Sequence, residues 1–194
     1  EGFVAPPPHA LIRFGRWDET LREPTPRPHS PATAAFWHYA RGIAFSVKDK
    51  LDDAAREREA FEEAYRKVPE TAVMGNNKLR AILDVARKTL EGEYLFRKGD
   101  LDKAFESLRE AARMDRELHY DEPWGWMQPP THALGALLLQ AGRVEEAEKV
   151  YREDLKRFPE NGWALHGLAE CLRRRGELAD ARRVEARFDR AWAR

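Results

Sequence analysis

Apolar side chains recur along this chain at the three- and four-residue steps of an α-helix, in blocks separated by short polar breaks. Leu79, Leu83, Ala86, Leu90 and Tyr94 form one long stripe, and Leu101, Ala104, Leu108 and Ala111 form the next. Val144, Ala147 and Tyr151 begin another, and the last block places Leu178, Ala181, Val184, Phe188 and Trp192 on one side. Val68-Pro69 stops one helix and Phe158-Pro159 stops another, because proline cannot donate to the helical ladder and disfavours helical geometry in the residue before it. The pattern predicts an all-α chain of antiparallel helix pairs.

The breaks are copies of one another. Gly99-Asp-Leu-Asp-Lys-Ala104 recurs as Gly142-Arg-Val-Glu-Glu-Ala147 and Gly176-Glu-Leu-Ala-Asp-Ala181, with weaker versions beginning at Gly15 and Asp49. Turn positions 15, 49, 99, 142 and 176 are separated by 34, 50, 43 and 34 residues, a spacing that fits stacked helical repeats. Gly42, Gly92 and Gly135 stand seven residues before three of the turns, and Ala54, Ala104, Ala147 and Ala181 stand five residues after four of them. Glycine inside a helix costs about 1 kcal/mol against alanine, so its recurrence implies close packing in return. The turn glycine itself predicts a left-handed cap.

Two gaps exceed 34 residues, by 16 and by nine. The first excess reads mostly as added helix, with the next helix beginning near Asn77 and Asn76-Asn77 as its cap. The second reads as a proline-bounded loop from His119 to Pro130. Near the N-terminus, prolines 6, 7, 8, 24, 26, 28 and 31 break any continuous helix. His9–Phe14 and Trp17–Leu21 suit a short helical pair about Gly15, and Pro24–Pro31 an extended connector. Residues 1–35 therefore read as a degenerate partial repeat and 36–194 as the helical repeat domain.

Composition narrows the partners. Hydrophobic residues make up 42% and charged residues 35%, which suits amphipathic helices sharing a thin core. Thirty-four basic side chains balance 34 acidic ones, which argues against nucleic acid as a partner. No apolar run reaches the roughly 20 residues that span a bilayer, and no signal-peptide pattern is present, so no membrane partner and a soluble, cytoplasmic fragment are expected. A start at Glu1 rather than methionine suggests a piece of something longer. Cys171 is alone, which excludes an intrachain disulfide; lying among Leu168 and Leu172, it reads as a buried, inert thiol.

Residues 131–181 resemble the tetratricopeptide repeat superfamily. Gly135, Gly142, Ala147, Tyr151 and Pro159 match its pattern in one unit, and Leu168, Leu172, Gly176 and Ala181 in the next, where Glu185 replaces the usual large residue. The stretches Glu122–Pro130, Tyr151-Arg-Glu-Asp-Leu and Phe158-Pro-Glu-Asn-Gly-Trp163 resemble the C-terminal part of longer bacterial tetratricopeptide proteins. The resemblance implies a right-handed superhelix whose first helices line a concave groove. In that register the positions ten before each turn are Tyr39, Thr89, His132 and His166, and those six before are Ile43, Glu93, Ala136 and Glu170. Ser46, Phe96, Arg97, Leu139, Gln140, Arg173 and Arg174 follow along the edge.

The resemblance implies a protein or peptide partner in this groove. Arginines 97, 173 and 174 would hold a carboxylate, Phe96 or Trp163 an apolar side chain, and Glu93, His132, Gln140, His166 and Glu170 the centre. Tyr120, Asp121, Glu122, Trp124 and Trp126 would sit at the rim, as a lid or as a plug filling space beside the longer helices; exposed tryptophans being costly, the plug is favoured. His132, His166, Glu93 and Glu170 are also the best metal candidates, although no local His spacing supports a site. His38 reads as a histidine packed beside Trp37. No phosphate-cradling loop, nucleophile elbow or Cys/His pair supports catalysis, and no cofactor is expected. The leading expectation is a non-enzymatic peptide-binding scaffold. Metal or small-molecule binding is the alternative, with a structural role or self-association through the C-terminal helix as the third.

Overall fold

In a computed structural model, residues 6–27 and 29–193 are described. They form ten helices and one two-stranded hairpin. Helices α1 (Pro6–Arg13), α2 (Trp17–Arg22), α3 (Pro31–Val47) and α4 (Leu51–Lys67) precede strands β1 (Val73–Met74) and β2 (Asn77–Lys78). Then come α5 (Leu79–Lys98), α6 (Leu101–Glu117), α7 (Pro130–Gln140), α8 (Val144–Arg157), α9 (Gly162–Arg174) and α10 (Leu178–Trp192). The chain divides into two compact units, Glu1–Pro130 and Thr131–Arg194.

The repeated turn has one geometry at all five sites. Gly15, Asp49, Gly99, Gly142 and Gly176 have φ between 56° and 89°, the left-handed region that glycine enters at least cost. Each donates its amide three residues back, and the next residue donates five back: Gly99 to Phe96 and Asp100 to Leu95, at 3.1 and 3.0 Å, for example. This pair of bonds caps otherwise unpaired carbonyls of the first helix. The carbonyl after the turn then accepts from the residue five beyond the turn position, which is Ala54, Ala104, Ala147 or Ala181, all at most 1% exposed. The recurring alanine is thus the first buried contact of each second helix.

The recurring glycines admit particular neighbours. A Cβ on Gly92 would lie 2.5 Å from Leu108 Cγ and 3.1 Å from the Ala104 carbonyl, so α5 and α6 meet at a glycine–alanine contact. Gly42 instead receives Leu90 of α5, whose Cδ1 would lie 2.7 Å from an added Cβ. Both contacts border the core of the N-terminal unit, where Phe36, Tyr39, Phe61, Ile82, Leu83 and Leu90 are buried together.

Three local expectations need correction. Asn76-Asn77 does not cap α5: Asn77 lies in β2, the residue before the helix is Lys78, and no side chain caps it. Both asparagine side chains instead bond the segment after α6. Prolines 6–8 begin α1 rather than break a helix, since a first helical turn needs no amide donors. Pro31 likewise opens α3, which shortens the connector. Of the 1–35 segment, residues 1–5 and Pro28 lie outside the described residues; α1 and α2 flank Gly15 as a helical pair.

Candidate functional site

In the C-terminal unit, the α9 sequence Gly162–Arg174 leaves one face at the surface because its apolar residues occupy the other. Ala164, Leu165, Leu168, Ala169, Cys171 and Leu172 are buried, whereas Trp163, His166 and Arg173 are exposed and Glu170 is half-buried. On α7, Ala136 and Gln140 are exposed. Glu170 accepts from Arg174 Nε at 2.7 Å and pairs with Arg173 at 2.9 Å; these contacts, the Arg174 hydrogen bond foremost, hold its carboxyl below its usual range. Arg173 also reaches Glu185 on α10 at 2.8 Å, and Arg174 donates to the Leu139 carbonyl at the end of α7, at 2.7 Å. The two arginines are therefore braced by the unit's own acceptors.

Phe188 and Trp192 fold back toward the start of α9. Their rings stack at 5.6 Å, Trp192 meets Trp163 edge-on at 5.7 Å, and His166 lies 5.7 Å from Phe188. Gly162 makes this possible, since an added Cβ would collide with the Trp192 ring. Trp192 is still 53% exposed.

His132 has a different place. Its Nε2 lies 3.1 Å from Asp154 Oδ2 and 2.8 Å from Asn161 Nδ2, and its side chain is only 10% exposed. Thr131 donates its hydroxyl to Asp154 Oδ1 at 2.6 Å, and Asn161 donates to Oδ2 at 3.0 Å. Asn161 also accepts from the Trp163 amide, which makes it the side-chain cap of α9. Burial disfavours ionised Asp154, but the bonds from His132, Thr131 and Asn161 outweigh it and lower its pKa. The cluster joins the start of α7, the end of α8 and the cap of α9. His132 is tied into this cluster instead of standing in the middle of an open groove.

In the N-terminal unit the equivalent positions are interior. Tyr39, Ile43, Ser46, Thr89, Glu93 and Phe96 are all buried. Glu93 pairs with Arg97 at 2.8 Å, yet burial pushes its pKa up. Phe96 meets Phe105 edge-on at 6.0 Å. His38 lies beside Trp37 and also bonds Glu57 at 2.7 Å, an acceptor it shares with Arg41 at 2.6 Å.

The loop divides between the two roles considered for it. Trp126 is 2% exposed and joins the core, whereas Trp124 is 48% and Tyr120 71% exposed. Asp121 accepts from the Asn76 amide at 2.9 Å, and Tyr120 donates its hydroxyl to Glu122. Cys171 is buried, and burial raises its pKa to about 11.

Among the described residues no group of three or more His, Cys, Asp or Glu side chains is placed to hold a metal ion, and no helix is long and apolar enough to cross a membrane. Sequence reasoning missed the roles of Asp154, Asn161 and His9. The first two lie in stretches singled out for their resemblance, and His9 stands six residues before Gly15, in register with Ile43, Glu93, Ala136 and Glu170.

Residues 138–187 match the family model described as tetratricopeptide repeat, which relates the chain to that superfamily. The largely helical architecture, with one two-residue hairpin pairing among the described residues, and the repeated turn agree with the match. No curated protein and no solved structure shows significant similarity to the chain. Tetratricopeptide domains commonly mediate protein–protein interaction, so an interaction scaffold is the general function to which the family relation points.

Proposed function

We propose that the chain is a peptide- or protein-binding repeat module whose recognition surface is the exposed side of α7 and α9 in the C-terminal unit. One observation carries this reading. Trp163, His166, Glu170 and Arg173 follow at helical spacing on one side of α9 and stay at or near the surface, whereas the equivalent positions of the N-terminal unit are buried. The side offers an aromatic platform at one end and arginine donors at the other. A ligand carboxylate would exchange with Glu170 or Glu185 on Arg173, so charge contributes selectivity more than affinity. The apolar contact with Trp163 supplies most of the binding energy.

Peptides selected from a random library on the full chain provide the test. Affinity by calorimetry should fall at least tenfold in Trp163→Ala, whereas Arg173→Ala should lower the preference for a peptide carboxylate, with helicity retained in both. Selected peptides that bind both variants and Gln140→Ala as well as the parent would remove this surface from consideration. Self-association has one supporting observation, the half-exposed Trp192 on the last helix. Sedimentation of the parent against Trp192→Arg checks it, and a monomeric parent disposes of it.

A further inference from the structure

In the N-terminal unit, residues 119–128 are held along their length as a bound peptide would be. The Asn77 side-chain amide donates to the His119 carbonyl at 2.9 Å and accepts from the His119 amide at 2.7 Å, gripping both polar groups of one residue's main chain. Asn76 donates from Nδ2 to the Tyr120 carbonyl at 2.8 Å, and the Asp121 carboxylate lies over Gly75, where an added Cβ would collide with it. At the far end, the Gln128 side chain donates to the His9 carbonyl. Between these grips, Trp126 enters an aromatic box. Its ring lies 4.7 Å from His9, 5.2 Å from Tyr39 and 6.4 Å from Phe36.

The location is informative. His9 stands six residues before Gly15, and Tyr39 stands ten before Asp49. Both are register positions assigned to the ligand-facing side of a repeat stack. Side-chain amides that grip main chain read an extended backbone of any sequence, while a closed aromatic box reads one side chain. Among the described residues no hydrogen-bond partner reaches two buried atoms in the box, His9 Nδ1 and Trp126 Nε1, so the internal segment fills the site without satisfying all of it.

We infer that this surface is a peptide-binding site occupied in cis by residues 119–128, and that it takes in trans an extended peptide with an acidic–proline–tryptophan–glycine–tryptophan core. Tethering gives the internal segment an effective concentration in the millimolar range or above, so it excludes a free peptide of equal intrinsic affinity. A trans peptide binds only where the internal segment is released. The site is separate from the α9 surface, and either can fail without the other.

The probe is a fluorescent peptide with the sequence of residues 119–130, titrated with the full chain and followed by anisotropy. The parent should show no saturable binding. Trp126→Ala should bind at least tenfold more tightly than the parent, and a peptide with alanine in place of its second tryptophan should bind that variant at least tenfold more weakly. Adding Asn77→Ala to the variant should weaken binding again. A helical Trp126→Ala chain with no tryptophan-dependent binding overturns the inference and leaves Trp126 a core filler. Should Trp126→Ala lose helicity, recovery of circular dichroism becomes the readout. Recovery with the tryptophan peptide alone supports the site; no recovery, or equal recovery with both peptides, overturns it.

Discussion

Tyr151 on α8 is enclosed by two glycines, which makes the C-terminal unit testable at single-atom resolution. A Cβ on Gly135 of α7 would lie 2.5, 2.7 and 3.0 Å from Cζ, Cε1 and Cε2 of the ring, and one on Gly167 of α9 would press on the same three atoms more closely. The ring is 4% exposed and cannot retreat from one glycine without meeting the other. Gly167→Ala should therefore incur overpacking at the upper end of the usual range, about 3 kcal/mol. Alanine's better helix propensity returns about 1 kcal/mol, leaving a net loss of about 2 kcal/mol. In a Tyr151→Leu background the offending ring atoms are gone, since leucine ends at its Cδ atoms. There Gly167→Ala should stabilise by about 1 kcal/mol, a coupling of about 3 kcal/mol with a change of sign. Urea unfolding of the four chains, followed by circular dichroism and compared at constant m-value, measures it. Additive shifts would show that the two glycines do not exist to house this ring.

Burial lowers the His9 pKa to about 4, only partly opposed by Gln128. The folded value lies below the unfolded 6.5, so the associated stability is fully present above pH 6.5 and is lost as pH falls toward 4. The parent should lose about 2 kcal/mol more than His9→Leu between pH 7 and pH 5, read from urea midpoints; parallel pH profiles would refute this. Tyr39, the titratable ring facing His9, is kept neutral by burial and by Glu93. Asp154→Ala strands Thr131, His132 and Asn161, and should cost about 3 kcal/mol in the same assay. Asn161→Ala, which removes the α9 cap, should cost about 1–2 kcal/mol; equal costs would contradict the central place of Asp154. Gly142→Ala meets no atom of the described residues within 4 Å, so its positive φ is what opposes it, and the loss should be about 1 kcal/mol. A loss near 3 kcal/mol there would imply a contact beyond backbone strain.

What could be read from order alone was whatever depends on neighbours in the chain. A left-handed turn needs glycine or a tolerant residue at one position, and the following alanine stands at fixed helical distance from it. Hence Asp49, Gly99, Gly142 and Gly176 located the bends, and Val68-Pro69 and Phe158-Pro159 the ends. What failed was decided by groups far apart in sequence. Asn76 and Asn77 look like helix caps because local rules assign asparagine to caps, yet their partners lie more than 40 residues away. His132 reads as an open groove residue until Asp154 arrives from α8 and Asn161 from the cap of α9. Trp124 and Trp126 have nearly the same local surroundings, and only the aromatic box contributed by α1 and α3 buries one and leaves the other at the surface. Local conformational preference is written residue by residue, whereas burial and hydrogen-bond partnership belong to the packed unit.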